Sequence, residues 1–311
     1  MEKNSVYNRV FNANKEELEE LCEKAKHLSY KYFNHKLKVY YPNKFFPTIS
    51  ITGTKCTQNC LYCNGHYLEA MQQISTPKRL KQYALHLSAI GGKGMLISGG
   101  FNKESVLPVE PFLEVIAEIK KETNLIINLH SGLVNKSQAK ALYDARVDVI
   151  SYDLIVDDQI INEIIRNGKR AFDYLQSYEI LRDVGLNVVP QICLGLYYGQ
   201  MKGVIEAIQT ILRDNPKIVV FILFIPTKGT SMQNYPIIDP ISLQKTLIFT
   251  RLLNPKIEQA LGCMRVRLID YEKKAIACGI NRIAIPKKSI LNYTINELKL
   301  DVETIYSCCA T

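Results

Sequence analysis

Residues Pro47–Cys63 read PTISITGTKCTQNCLYC: a short apolar, strand-like segment, Pro47–Thr52, runs straight into a loop with three cysteines. Cys56, Cys60 and Cys63 are spaced Cys-x3-Cys-x2-Cys, so one short loop carries three thiols and not four. A closed tetrahedral zinc site wants four protein ligands, whereas three thiolates leave one iron of a four-iron cluster open to a small molecule. The rival reading is a zinc site completed by His66, three residues after Cys63.

From this segment onward, short apolar strands alternate with amphipathic helical stretches, the pattern of a parallel sheet with crossover helices. Strands are expected near 47–53, 94–98, 124–130, 147–153, 187–193, 218–225, 258–263 and 281–285. Helices are expected over 78–90, 109–122, 137–145, 158–166, 170–184, 200–214, 241–253 and 269–278. Eight repeats over roughly 250 residues predict an α/β chain of the (β/α)8 TIM type, with an open doubly wound sheet as the alternative. Before them, Asn14 and Glu17 form a capping-box pattern, and Leu18, Leu21, Cys22 and Ala25 recur at helical spacing. The expected organisation is a helical N-terminal extension (1–46), the barrel (47–300) and a cysteine-bearing C-terminal tail (301–311).

Barrels of this kind build active sites at the C-terminal ends of their strands. Those ends carry the cysteine loop, Ser98-Gly99-Gly100, His130, Asp153, Cys193, Pro226–Gly229 and Cys263. His130 is the candidate for orienting substrate or cofactor, a satisfied core histidine being the plainer reading.

The chain has 311 residues, 47% of them hydrophobic, enough for a large core. No run of about 18 apolar residues occurs, and the N-terminus lacks the apolar core of a signal peptide, which predicts a cytoplasmic protein with no membrane partner. A net charge of +9 would suit an acidic partner, but the lysines are spread along solvated helix faces, which disfavours nucleic acid. Nine cysteines in a reducing compartment should be thiols or metal ligands. Cys308 and Cys309 adjoin at the tail, and with Cys263 they could bind a second cluster if the tail folds back. Cys193, Arg265 and Ser307 are candidates for its fourth ligand. Cys22 and Cys278 are expected to be buried structural thiols.

The loop resembles the Cys-x3-Cys-x-aromatic-Cys motif of the radical S-adenosylmethionine (SAM) superfamily, matched here by Cys56, Cys60, Tyr62 and Cys63. The resemblance implies a [4Fe-4S] cluster that binds S-adenosylmethionine and cleaves it to a radical able to take hydrogen from an unactivated carbon. It further implies that Ser98, Gly99 and Gly100 approach the methionyl amino group, that Asp153 holds the ribose, and that Tyr62 and the Gly195-Leu196 segment lie against adenine.

The stretch 47–311, with FPTISITGTKC, NLHSGL, GCMR and the terminal SCC, resembles the biotin-synthase-related proteins of archaea that include a two-subunit lipoyl synthase. That resemblance implies sulfur insertion at C6 or C8 of an octanoyl chain on a carrier protein, the sulfur coming from an auxiliary [4Fe-4S] cluster. A second subunit and an electron donor such as ferredoxin or flavodoxin would be partners. Strands two and three end in Ser98 and His130, where biotin synthase places thiols. Two alternatives stand beside this reading: another radical SAM reaction with a single cluster, biotin-synthase-like or a carbon-skeleton rearrangement, and a non-catalytic metal protein that binds nucleic acid.

Overall fold

A computed structural model describes residues 2–311. Its strands, in chain order, are β1 (Lys36–Tyr40), β2 (Thr48–Ser50), β3 (Gln72–Gln73), β4 (Gly94–Ser98), β5 (Ile126–Leu129), β6 (Val149–Asp153), β7 (Val188–Leu194), β8 (Ile218–Leu223), β9 (Glu258–Leu261), β10 (Arg282–Ala284) and β11 (Asp301–Ile305). The chain divides into two compact units. One comprises residues up to Tyr41, Ile192–Ile225 and Tyr235–Ile305; the other comprises Pro42–Gln191, Pro226–Asn234 and Tyr306–Thr311.

In the unit that carries the cysteine loop, the strands follow the order β3-β2-β4-β5-β6-β7, all parallel. Parallel strands need helical crossovers, and these are supplied by Pro77–Ala89, Leu113–Glu122, Lys136–Asp144 and Ala171–Asp183. The strands are short apolar runs such as MLIS and VISY, buried on both faces as parallel strands are. The register pairs Ser50 with Ser98, Ile97 with Leu129 and Leu129 with Ile150. The C-terminal ends of β4, β5 and β6 therefore arrive side by side.

In the other unit the order is β11-β1-β10-β9-β8, and the last residues of β7 lie beside β8. Here the N-terminal helix Lys15–Phe33 starts as its sequence directs: Asn14 accepts from the Glu17 N–H at 3.0 Å, and Glu17 accepts from the Asn14 N–H at 2.9 Å. Such a cap is worth about 1 kcal/mol. The preceding helix, Glu2–Phe11, seats Tyr7 and Phe11 against the fully buried Phe249, with the Phe11 and Phe249 ring centroids 5.8 Å apart.

All eight expected strands are present, and so are the eight expected helices, one of them in altered form. Residues 158–166 make one helical turn and then a π-helix, Ile161–Ile165. Strands β1, β3 and β11 lie outside the expected set; β1 and β11 fall in the segments expected to be helical extension and tail. Strand β1 pairs in parallel with both β10 and β11. Among the described residues, no helix is long and apolar enough to cross a membrane.

Candidate functional site

The cysteine loop is held by the turn that follows β4. Thr57 donates to the Phe101 carbonyl through both its N–H (3.0 Å) and its hydroxyl (2.9 Å), and the Gln58 amide donates to the Asn102 carbonyl at 2.5 Å. The Gly100 N–H in turn donates to Thr52 Oγ1 at 2.7 Å. Only glycine fits at 100, since a Cβ there would lie 2.5 Å from Cys56 Cα and 2.6 Å from Cys56 Cβ. On its far side the loop is fixed by the Leu61 N–H, which donates to the Ile164 carbonyl of the π-helix at 2.9 Å. π-Helical turns are uncommon and concentrate at functional sites.

Within the loop the chain makes a single turn, with Cys63 N–H on the Cys60 carbonyl and His66 N–H on the Cys63 carbonyl. This brings the Cys60 and Cys63 side chains into hydrogen-bonding contact. The Cys60 thiol donating to Cys63 holds Cys63 down at about 7 against the opposing effect of burial, helped by the Gly65 N–H and the Tyr62 side chain. The same shared proton, with burial, pushes Cys60 far up. Thiolate is the metal-binding form, so Cys63 is prepared to be a ligand. Cys56 stands half-buried, its Sγ 4.0 Å from the Phe101 carbonyl.

His66 does not complete a zinc site: it is exposed and faces Glu69 at 3.8 Å. Among the described residues no three Cys, His, Asp or Glu side chains converge as one metal ion would need. A four-iron cluster sets a different demand, because each thiolate binds a separate iron and the ligands need not meet at a point. Three thiols on one loop, one of them favouring thiolate, fit that donor set.

Beside the loop, the ends of β4 to β6 make a polar wall. Ser98 Oγ and His130 Nδ1 are 3.2 Å apart. Asp153 ends β6 as a solvent-reached residue whose carboxylate is nonetheless crowded by protein. Burial raises Asp153 and lowers His130, and the attraction between them opposes both shifts. One inward position deeper, Ser151 Oγ donates to Asn128 Oδ1 at 2.9 Å, while the fully buried Asn128 Nδ2 has no partner. A buried amide donor left unpaired costs about 1–3 kcal/mol, so this amide is an unmet demand at the base of the wall. Asn128 and Ser151 were missed in the sequence. The available signal was alternation: each lies two residues before a candidate, His130 or Asp153, and so shares its face.

The remaining candidates belong to the other unit or to the tail. Cys193, Gly195 and Leu196 end β7, with Leu196 buried and Gly195 at φ +81°. Cys263 follows β9, half-buried. Arg265 is committed elsewhere: it donates to the carbonyls of Gly262 (2.5 Å) and Ala284 (2.8 Å) and pairs with Glu272 at 2.6 Å, both side chains fully buried. Its guanidinium ties the ends of β9 and β10 together, with Nε left without a partner. The tail folds into the unit of the cysteine loop, Tyr306 lying edge-on to Phe45. Its last residues turn on themselves, the Thr311 N–H donating to the Cys308 carbonyl and Ser307 Oγ lying 2.6 Å from Thr311 Oγ1. Cys309 is buried there and Cys308 half-buried.

Three comparisons bear on this arrangement. Biotin synthase of Pseudomonas aeruginosa is 23% identical over 250 residues, covering 77% of this chain and 69% of that protein. The crystal structure of methylornithine synthase superposes with a TM-score of 0.67 at 18% identity, over 91% of this chain and 81% of the other. The FeFe-hydrogenase maturase HydG from Carboxydothermus hydrogenoformans gives 0.70 at 16% identity, over 89% and 66%. These likenesses establish the TIM-type α/β fold. The pattern of the Radical SAM superfamily matches residues 50–211, which run from the end of β2 through the cysteine loop and the polar wall, so the chain belongs to the radical SAM superfamily, broadly related to its biotin-synthase-like enzymes.

Proposed function

We propose that this chain abstracts a hydrogen atom from a small polar substrate, using a single cluster on Cys56, Cys60 and Cys63, in a biotin-synthase-like or carbon-skeleton-rearranging reaction. The observation that carries this reading is the polar wall of Ser98, His130, Asp153, Asn128 and Ser151 standing beside the cysteine loop in one compact unit. When bound, the cluster supplies the electron that cleaves S-adenosylmethionine. The chain's own residues bind and orient. Gly99 and Gly100 leave backbone bare for the methionyl group, Tyr62 lies on the cofactor side of the loop, and Asp153 accepts from hydroxyl groups. Ser98 fixes the His130 ring, and the buried Ser151–Asn128 pair backs the wall from behind.

The test is anaerobic reconstitution with iron and sulfide, followed by addition of S-adenosylmethionine and a chemical reductant. About four irons per chain and formation of 5′-deoxyadenosine are expected. A fully loaded chain that leaves the cofactor intact would refute the proposal.

A second reading is favoured by the tail, which turns back and buries Cys309. It is sulfur insertion into a protein-bound octanoyl chain, of the lipoyl-synthase type, with Cys308 and Cys309 on an auxiliary cluster. About eight irons per chain, and sulfur added to an octanoylated peptide, would favour it over the first.

A further inference from the structure

Away from the cysteine loop, Cys22 Sγ and Cys278 Sγ stand 2.7 Å apart, although their residues are 256 positions apart in the chain. Non-bonded carbon atoms rest at about 3.5–4.0 Å, and sulfur is larger. A disulfide brings two sulfurs to about 2.05 Å. The pair is thus already inside contact distance, before any covalent bond.

Its surroundings hold it there. Cys22 lies on the helix Lys15–Phe33, and Cys278 caps the helix Ile269–Ala277. The next residue, Gly279 at φ +75°, is pressed flat against the first helix: a Cβ there would meet Ser29 Cβ at 2.7 Å and Lys26 Cα at 3.0 Å. Asn281 Nδ2 donates to Ser29 Oγ at 3.0 Å, and the Arg251 guanidinium lies 5.2 Å from the centre of the Phe33 ring. Cys22, Ser29 and Phe33 recur at helical spacing, so one face of the N-terminal helix is docked along its length. All of these residues belong to one compact unit.

We propose that Cys22 and Cys278 form a modification site that closes into a disulfide on exposure to peroxide, stapling the N-terminal helix to the end of the Ile269–Ala277 helix. The Cys278 S–H donates to Cys22 and lowers it, so Cys22 is the nucleophile. Burial and the shared proton raise Cys278. Cys22 sulfur attacks one peroxide oxygen, the O–O bond breaks, and a sulfenic acid and one water form. Cys278 sulfur then attacks the Cys22 sulfur, the S–O bond breaks, and the second water leaves. Two thiols are oxidised and one hydrogen peroxide is reduced. Both thiols are buried, so a small neutral oxidant reaches them and a bulky disulfide does not. The site does not depend on the function proposed for the cysteine loop.

The full-length chain is treated with one equivalent of hydrogen peroxide, denatured in iodoacetamide and digested without reductant. The expected product is a cross-linked peptide pair containing Cys22 and Cys278, lighter than the sum of its parts by two hydrogens. Melting temperature should rise by roughly 5 °C and return on addition of dithiothreitol. Cys22→Ser and Cys278→Ser each remove both signals. Recovery of Cys22 and Cys278 fully alkylated, or of Cys22 joined to a different cysteine, overturns the proposal. The peptide map of the unsubstituted chain decides this even if a serine variant folds poorly.

Discussion

Replacing Gly100 with alanine tests whether the turn after β4 sets the position of the cysteine loop. The added methyl would lie 2.5 Å from Cys56 Cα and 2.6 Å from Cys56 Cβ, and closer still to the Lys55 carbonyl. Carbon atoms rest at about 3.5–4.0 Å, so the Cys56 segment has to retreat by about 1 Å. It cannot do so freely, because Thr57 is bound twice to the Phe101 carbonyl. Overpacking of this kind costs about 1–3 kcal/mol, a fall of roughly 2–6 °C in melting temperature for a chain of this size. A misplacement of about 1 Å at a reacting centre costs about 100-fold in rate. The assay measures iron per chain after anaerobic reconstitution, 5′-deoxyadenosine formed under reductant, and thermal melting. Gly100→Ala should remain folded while cofactor cleavage falls by about 100-fold. Thr52→Val, which removes the acceptor of the Gly100 N–H and a longer 3.5 Å contact with Ser50 Oγ but adds no overlap with Cys56, should lose less. A Gly100→Ala chain with full iron and unchanged cleavage would refute the claim that this contact positions Cys56.

Three further perturbations have expected outcomes. Arg265→Met strands the buried Glu272 carboxylate and should destabilise by about 3–5 kcal/mol; adding Glu272→Met should recover most of that loss in thermal melts, and an equally unstable double variant would show that the pair is not the unit at stake. Asn128→Leu combined with Ser151→Ala removes the unpartnered donor together with the hydroxyl that Asn128 Oδ1 accepts from, so the melting temperature of the double variant should be no lower than that of the parent, whereas Asn128→Leu alone strands Ser151 Oγ and should melt lower; a double variant that drops by several degrees would mean that an ordered water already satisfies the amide. Asp153→Asn should stabilise the chain at neutral pH and not at acid pH. Burial raises Asp153 in the folded state, so ionising it costs stability that is intact below its unfolded value of about 3.9 and is lost as pH rises toward the folded value. Parallel melts that kept a constant offset from pH 4 to pH 8 would contradict this sign.

The strands of the barrel could be read from sequence because they are buried on both faces and therefore continuously apolar. IVVFIL in β8 and MLIS in β4 have little else to be. The same logic explains the misses. Strand β11 is DVETI, exposed along most of its length, and its position comes from parallel pairing with β1 rather than from any apolar signal. Strand β1 hides its pattern behind lysines whose charges are met only in three dimensions, Lys38 by Glu258 at 2.8 Å and Lys36 by Glu303 at 3.4 Å. At the site, the cysteine spacing is local and was legible. The pairing of Ser98 with His130 depends on register between strands and could be guessed only from strand ends. Arg265 shows the limit most clearly: its place just beyond β9 says nothing of the backbone carbonyls and Glu272 that its terminal nitrogens meet in three dimensions, while its Nε meets no partner.

The contrast between Arg265 and Asn128 separates holding from binding within one chain. Both side chains are polar and buried, and neither is there for hydrophobic gain. Arg265 spends its terminal nitrogens on two carbonyls and a carboxylate of its own unit and leaves only Nε without a partner, so removing it should cost stability. Asn128 is fixed on its oxygen side by Ser151 and unpartnered on its nitrogen side, so the folded chain carries a penalty there that none of its own groups relieves. Asp153 follows the same logic, since a carboxylate raised by burial is stabilised by any donor or positive charge brought against it. These unmet demands lie on the ends of β4 to β6, in the unit that carries the three thiols, and a fold at equilibrium keeps such costs where binding repays them.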